Sequence, residues 1–444
     1  MWQAALERAA QGGSGELELS GMGLTDAIAA AVARALLQPP LATAVTALAA
    51  DDNLLTGAGA AALAPLLQAS RTLARVYLAD NPIGDRGARA LAAALAANPS
   101  TLHELSVVSC ALSGRGVGAL AAALATHARL TTLWVGENAV GLKGAQSLAQ
   151  LLRANRTLGQ LGLGSAALGP AGVAALASGL AANAALRQLS LHNNAMGVEG
   201  ARALATALQT NTTLRELNVA QNDLRAAGAE ALLQLPAAPP AGAGLRTLNL
   251  SGNNLNDAGA RAVAAALRSN RSLTCVKLNH NGITAPGALA LARALEPNAT
   301  LAHLHLDSNP LGNEGAQALA VLLQRPSATL VGLRLYHCGI GDPGASALAA
   351  ALVRNTTLAE LSLDFNRLTD DGACALARAL ELNTGLTSLS LNSHASALGP
   401  RSHGALARAL NTNATLTALT LHAASPAIAA RLAANKVISL FPGW

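Results

Sequence analysis

The chain has 444 residues, of which 51% are hydrophobic, 12% charged and 2% aromatic, and its formal net charge is +6. Mean hydropathy is +0.34, but polar and charged residues interrupt the apolar runs, whereas a membrane-spanning helix needs about 20 mostly apolar residues. Four cysteines are too few for a disulfide scaffold. These features argue against an integral membrane protein, a disulfide-rich secreted module and a disordered chain. No apolar leader opens the sequence, so we expect a cytoplasmic protein.

The first predicted element is a short helix over residues 2–10, and we assign residues 1–13 as an N-terminal helical cap. A pattern then repeats through residues 14–424, as in Leu301-Ala-His-Leu-His-Leu-Asp-Ser-Asn-Pro-Leu. We assign residues 425–444 as a C-terminal cap, with a helix over 426–435 and a strand over 436–441. Fifteen repeats, mostly 28 residues apart, start at Ser14, Val45, Leu73, Leu102, Leu130, Leu158, Leu186, Leu214, Leu245, Leu273, Leu301, Leu330, Leu358, Leu386 and Leu416.

Each repeat has a strand half and a helix half. In Leu304-His305-Leu306 apolar and polar residues alternate, which predicts a short strand with one buried face. The second half, such as residues 315–323, combines helical apolar spacing with many alanines, the strongest helix formers. The predicted fold is therefore an α/β solenoid with a parallel sheet on the concave side and helices on the convex side. Because helices are wider than strands, we expect the array to bend into a horseshoe.

The asparagine of the motif is predicted to be structural. Its amide can satisfy backbone groups left open by the turn after the strand and so form a ladder between repeats. Cys110 and Cys338 occupy the same motif position, so we interpret them as structural too. The ladder asparagines are Asn53, Asn81, Asn138, Asn194, Asn222, Asn253, Asn281, Asn309 and Asn366.

The repeated pattern L-x-x-L-x-L-x-x-N/C-x-L is the leucine-rich repeat signature. Its period of 28 residues, with Gly-Ala-x-Ala-Leu-Ala-x-Ala-Leu-x-x-Asn-x-Thr-Leu, resembles the ribonuclease-inhibitor type of this repeat. That type also occurs in Ran GTPase-activating protein and in the sensor regions of NOD-like receptors. The resemblance covers nearly the whole chain and implies an intracellular horseshoe that binds macromolecules. The chain departs from ribonuclease inhibitors in its few cysteines and basic charge, and it carries no P-loop.

Motifs for catalysis are missing from the sequence. It contains no H-E-x-x-H, G-x-S-x-G, P-loop or Cys-x-x-Cys motif, so we predict no catalytic residues and no cofactor. A zinc site at His303, His305 and Asp307 is conceivable, because these residues follow one strand edge. Tetrahedral zinc needs ligands that converge at about 2.0–2.2 Å, whereas a sheet spreads side chains over several strands. We therefore predict no metal site.

The concave face is the predicted recognition surface. Motif positions 2, 3, 5, 7 and 8 should face the groove, and seven of the ten histidines and all four aromatic residues outside the caps occupy them. These aromatic residues alternate with buried leucines and cannot join the core, which is typical of an interface. The main contact is expected in repeats ten to thirteen. The predicted protein-binding residues are Tyr77, Trp134, Glu137, His280, His303, His305, Asp307, Arg334, Tyr336, His337, Asp364 and Phe365.

Charge is also sorted along this face. Acidic residues dominate the first five repeats, and basic residues such as Arg246, Lys277 and Arg334 lie in the middle, an arrangement that can orient a partner. We therefore predict a non-enzymatic scaffold or sensor that binds a protein on its concave face. Two alternatives stay open: a Ran-type GTPase activator, which would position the GTPase's own groups, and the repeat part of a NOD-like defence receptor. Nucleic acid is disfavoured because most arginines are dispersed over the helices.

Overall fold

The computed structural model describes residues 1–11, 15–97, 101–234, 243–325, 328–392 and 398–421. These residues form two compact units. The N-terminal unit contains the described residues up to Asn222 together with residues 243–244, and the C-terminal unit contains residues 223–234 and those from Leu245 onward. The C-terminal cap predicted for residues 425–444 lies outside the described residues, as does His422.

In the described part of the N-terminal unit, eight parallel strands pair in chain order. Helix α1 (Trp2–Ala10) lies where the sequence predicts a helix and packs against β1 (Glu16–Glu18) and α3 (Leu41–Ala44). The strands are β1 (Glu16–Glu18), β2 (Ala47–Ala49), β3 (Arg75–Tyr77), β4 (Glu104–Ser106), β5 (Thr132–Trp134), β6 (Gln160–Gly162), β7 (Gln188–Ser190) and β8 (Glu216–Asn218). The helices are α1 (Trp2–Ala10), α2 (Asp26–Leu36), α3 (Leu41–Ala44), α4 (Gly57–Ala69), α5 (Gly84–Ala97), α6 (Gly114–Leu124), α7 (Gly141–Ala154), α8 (Gly169–Leu180) and α9 (Gly197–Thr210).

The described part of the C-terminal unit repeats this arrangement with seven parallel strands, again paired in chain order. The strands are β9 (Thr247–Asn249), β10 (Cys275–Lys277), β11 (His303–His305), β12 (Gly332–Arg334), β13 (Glu360–Ser362), β14 (Ser388–Ser390) and β15 (Ala418–Thr420). The helices are α10 (Arg225–Leu232), α11 (Asn256–Ser269), α12 (Ala285–Leu295), α13 (Gly312–Leu323), α14 (Asp342–Leu352), α15 (Asp370–Leu380) and α16 (Pro400–Thr412).

Every strand occupies the third to fifth positions of its repeat, so the predicted alternation of strand and helix is confirmed. The central strand residue is buried in every described strand, and in most strands at least one flanking residue is not: in β11, Leu304 is fully buried, whereas His303 and His305 stay partly exposed. We call the side of each sheet that carries these flanking residues the open face. Adjacent strands pair residues of the same motif position, such as His305 with Arg334. Residues one repeat apart in sequence therefore become neighbours on the open face.

The helices form because their apolar residues follow the helical period. In α15, Ala373, Leu376, Ala377 and Leu380 are buried, which is the spacing of a single helix face. The hydroxyl of Thr369 accepts the N–H of Asp371 and so caps the first turn. Small alanines on the buried side let each helix pack closely against its neighbours.

The asparagine ladder is confirmed, and all nine predicted asparagines are at most 8% exposed. The Asn222 amide donates to the carbonyls of Leu191, Val219 and Ala220, and its oxygen accepts the N–H groups of Asn194 and Met196. One side chain thus satisfies five backbone groups in two repeats. The thiols of Cys110 and Cys338 fill the same position and donate to carbonyls of the preceding repeat. Burial raises the pKa of both thiols to about 12, which keeps them protonated as donors.

Candidate functional site

The loop after the strand holds motif position eight in a left-handed backbone conformation in most repeats. There φ lies between 51° and 56° at residues as different as Glu137, His280, His337 and Phe365. Residues other than glycine and asparagine adopt this conformation at a cost of about 1–2 kcal/mol, and a bulky side chain there is uncommon. The chain therefore carries the rings of His337 and Phe365 at positions whose backbone disfavours them.

Three predicted site residues form an aromatic cluster in the C-terminal unit: Tyr336, His337 and Phe365. The ring centroids of Tyr336 and Phe365 are 5.2 Å apart with an interplanar angle of 60°, and those of Tyr336 and His337 are 6.1 Å apart. Both distances are typical of interacting aromatic pairs. Tyr336 is 37% exposed, and its hydroxyl forms no hydrogen bond with any described residue. The ring of Tyr336 is thus exposed to solvent on one side, while Phe365 and His337 pack against it.

Arg334, which ends β12, and Asp307, in the loop after β11, support this cluster. The Arg334 Nε donates to one carboxylate oxygen of Asp307 at 3.0 Å, and the backbone N–H of Tyr336 donates to the other at 2.9 Å. Asp307 is only 5% exposed, whereas the Arg334 side chain is 54% exposed. The predicted site residue Asp307 therefore holds Arg334 and Tyr336 in place and offers little surface of its own.

A row of basic side chains crosses the open face beside the cluster. Lys277, His305 and Arg334, which we call the basic row, occupy paired positions on β10, β11 and β12. Burial, reinforced by the charges of Arg334 and Lys277, lowers the pKa of His305 to about 4, so the imidazole is neutral at physiological pH. Lys277 is partly exposed, and its ammonium makes no hydrogen bond or ion pair with any residue that the structure describes.

The remaining predicted residues of the C-terminal unit have separate surroundings. His303 faces Gly332 across the β11–β12 pair, and a Cβ at residue 332 would lie 2.5 Å from its ring. Asp364 accepts hydrogen bonds from the hydroxyls of Ser362 and Ser390, which joins β13 to β14. His280 is exposed in the loop after β10.

The N-terminal unit contains a different aromatic arrangement, which we call the anchored pair: Tyr77 and Trp134, joined by Glu104. The Tyr77 hydroxyl and the Trp134 indole N–H each donate to a separate oxygen of the Glu104 carboxylate at 3.0 Å. Burial, reinforced by the Glu104 carboxylate, raises the pKa of Tyr77 to about 12. The polar atom of each aromatic side chain is thus already hydrogen-bonded within the N-terminal unit.

The Trp134 ring also packs against a neighbouring glycine. Gly162 pairs with Trp134 across β5 and β6, and a Cβ at that glycine would collide with the indole. Trp134 is consequently half-buried, and its indole N–H donates to Glu104. Glu137 is exposed in the loop beyond β5.

Two further features concern metals and membranes. Within the described ranges, no group of three or more His, Cys, Asp or Glu side chains is arranged to hold a metal ion. Among the helices of the described residues, none combines the length and apolarity needed to cross a bilayer.

The repeated geometry agrees with the sequence family that the chain matches. The "Leucine Rich repeat" family matches eight segments: residues 69–92, 182–205, 210–233, 245–264, 269–292, 298–320, 327–349 and 354–377. The chain is a leucine-rich repeat protein. Each matched segment coincides with repeat units in which the strand, the asparagine position and the helix recur. Leucine-rich repeat domains generally act as scaffolds for protein interaction.

Several solved structures show distant likeness to this leucine-rich repeat chain. The Rad7–Elc1 complex of yeast matches with 17% identity and a TM-score of 0.49, covering 90% of this chain and 91% of that chain. An internalin (InlF) of Listeria monocytogenes matches with 16% identity and a TM-score of 0.43, covering 78% and 92%. Actin-binding site 2 of leiomodin-1 matches with 23% identity and a TM-score of 0.29, covering 39% and 87%. No curated protein matches the sequence significantly.

Sequence reasoning did not include Glu104, Lys277, Gly162 and Gly332 among the site residues. One signal for the glycines is present in the repeat alignment. Gly162 shares its motif position with Trp134 of the preceding repeat, and Gly332 shares its position with His303. A glycine that follows a large ring by one repeat therefore indicates that the ring lies along the sheet.

Proposed function

We propose that this chain is a non-enzymatic protein-binding scaffold that recognises its partner through the open face of the sheet, with its main contact at the aromatic cluster. The observation that carries the proposal is the exposed ring of Tyr336, packed on Phe365 and His337 and left without a hydrogen-bond partner among the described residues. Tyrosine rings of this kind are enriched among the residues that dominate protein interfaces.

The backbone supports the same proposal. His337 and Phe365 stand in left-handed conformations that favour glycine or asparagine. Because the same conformation recurs at motif position eight of most repeats, these two positions differ from the others in the large rings that they carry. Arg334 adds a half-exposed guanidinium next to the rings, and arginine is also enriched at interface centres.

The test starts from affinity capture of a partner on the intact chain, followed by measurement of its dissociation constant. We expect the double variant Tyr336→Ala/Phe365→Ala to weaken binding by about tenfold or more, because truncating an interface anchor costs about 2 kcal/mol. Circular dichroism of the variant should show that its secondary structure is retained.

The matched control changes exposed residues on the helices of the same unit. Arg261→Ala in α11 and Arg293→Ala in α12 should leave the dissociation constant unchanged. Unchanged affinity in the aromatic double variant, or affinity lost through the helix variants, would contradict recognition by the open face.

A further inference from the structure

We propose that the open face of the C-terminal unit binds an acidic segment of a partner protein. A carboxylate of that segment contacts Lys277 and Arg334 of the basic row, and an apolar side chain nearby packs on the aromatic cluster. This inference rests on the proposed function, because it assumes that the open face is the recognition surface. To that function the inference adds the charge of the partner segment that binds.

The first observation is the isolated charge of Lys277. Lys277 ends β10 and is partly exposed, and its ammonium forms neither a hydrogen bond nor an ion pair with any part of the chain that the structure describes. The ammonium is therefore available to form a charge-assisted hydrogen bond with a carboxylate that a partner supplies.

The second observation concerns which nitrogens of the Arg334 guanidinium form hydrogen bonds. Only its Nε is used, by Asp307, and its terminal nitrogens form no hydrogen bond with any described residue. Both oxygens of Asp307 are occupied, by Arg334 and by the backbone of Tyr336, so this carboxylate is not available to Lys277. The terminal nitrogens of a guanidinium form strong, directed hydrogen bonds with a carboxylate.

The third observation is the spacing of these groups. Lys277, His305 and Arg334 share one register on three adjacent strands, so the Cα atoms of the two cations are about 10 Å apart, twice the strand spacing. Long side chains from both ends reach one carboxylate above His305. Tyr336 follows Arg334 by two residues, about 7 Å along the chain. A peptide thus contacts both surfaces when its acidic and apolar side chains are close in sequence.

Acidic residues around the basic row favour a peptide over a nucleic acid. Glu360 is exposed on the next strand, and Asp364 follows it in the same repeat. A nucleic acid carries a phosphate charge at every nucleotide and needs a longer run of cations than two. The alternation of charge on this face suits a segment with a local negative charge and neutral neighbours.

The experiment selects binders from a displayed library of random linear peptides with the full chain as the target. The strongest binder is then synthesised, labelled and titrated by fluorescence anisotropy. We expect the selected peptides to be enriched in Asp or Glu close to Phe, Leu or Met. Lys277→Met, which keeps the length of the side chain, should weaken binding by about tenfold, and raised salt should weaken wild-type binding.

A charge exchange gives the most specific readout. Lys277→Glu should reject the acidic peptide and bind a version in which the acidic residue is replaced by Lys. Arg293→Glu, on helix α12 of the same repeat, is the matched control and should leave binding of the acidic peptide unchanged. Circular dichroism of each variant establishes that the fold is retained.

The outcomes separate this inference from the proposed function. Selected peptides without acidic residues that still lose binding in Tyr336→Ala/Phe365→Ala would overturn the acidic segment and leave the open face as the recognition surface. Binding that survives all open-face variants and is lost in Arg293→Glu would overturn both. Failure to enrich any peptide, or tighter binding of a single-stranded RNA oligonucleotide that Lys277→Met abolishes, would also overturn the acidic segment.

Discussion

The N-terminal unit carries aromatic residues at the ends of β3 and β5 and the C-terminal unit carries them just beyond β12 and β13, yet the two units use them differently. In the N-terminal unit, Tyr77 and Trp134 both donate to Glu104, and the indole packs over a glycine. In the C-terminal unit, Tyr336 packs on Phe365, and its hydroxyl has no hydrogen bond to a described residue. An aromatic residue on a repeat sheet is therefore not a recognition site by its position alone. What distinguishes the two is whether its polar atoms are already satisfied within the unit.

This comparison predicts that Glu104 has a structural role that its counterpart lacks. Glu104→Ala should lower the free energy of unfolding by about 2 kcal/mol, because two partly buried donors lose a charged acceptor. Glu360 occupies the same motif position in the C-terminal unit, is exposed and accepts no hydrogen bond from a described residue. Glu360→Ala should stay within about 0.5 kcal/mol of wild type. Urea denaturation of both variants measures the difference, and equal losses would remove the distinction between the units.

Tyr77→Phe and Tyr336→Phe test the same comparison with a smaller expected effect, because each variant removes only the hydroxyl oxygen. Tyr77→Phe should lower the free energy of unfolding by about 1 kcal/mol, the net value of a hydrogen bond, through loss of the bond to Glu104. Tyr336→Phe should leave stability unchanged, because the Tyr336 hydroxyl donates to no described residue. Thermal unfolding of the pair provides the comparison. A greater loss of stability in Tyr336→Phe than in Tyr77→Phe would show that the Tyr336 hydroxyl, and not the Tyr77 hydroxyl, is the one that stabilises its unit.

The repeat sequence is sufficient to predict the strands and the ladder. Each strand lies at the same three motif positions, and Asn222 binds the backbone groups expected of its position. Such features recur because every repeat meets the same neighbours. Their prediction needs only the period of the pattern.

The site is less accessible to sequence reasoning because it depends on how unlike residues of adjacent repeats meet. Asp307 counts as a groove residue by position, yet it is buried by its bonds to Arg334 and Tyr336, which lie 27 and 29 residues further along the chain. Trp134 turns toward Glu104 because Gly162 leaves space beside it. The left-handed conformation of Phe365 is likewise a property of the loop and not of its sequence. Individual pairings of this kind carry no periodic signal.

The central claim is that recognition uses the aromatic cluster and the basic row, while the anchored pair serves stability. Oxidative footprinting of the full chain, with and without a bound partner protein, tests it most directly, because aromatic side chains of both units react in one experiment. We expect binding to protect Tyr336 and Phe365 and to leave the reactivity of Tyr77 and Trp134 unchanged. Protection of Tyr77 and Trp134 with Tyr336 still reactive would contradict the account.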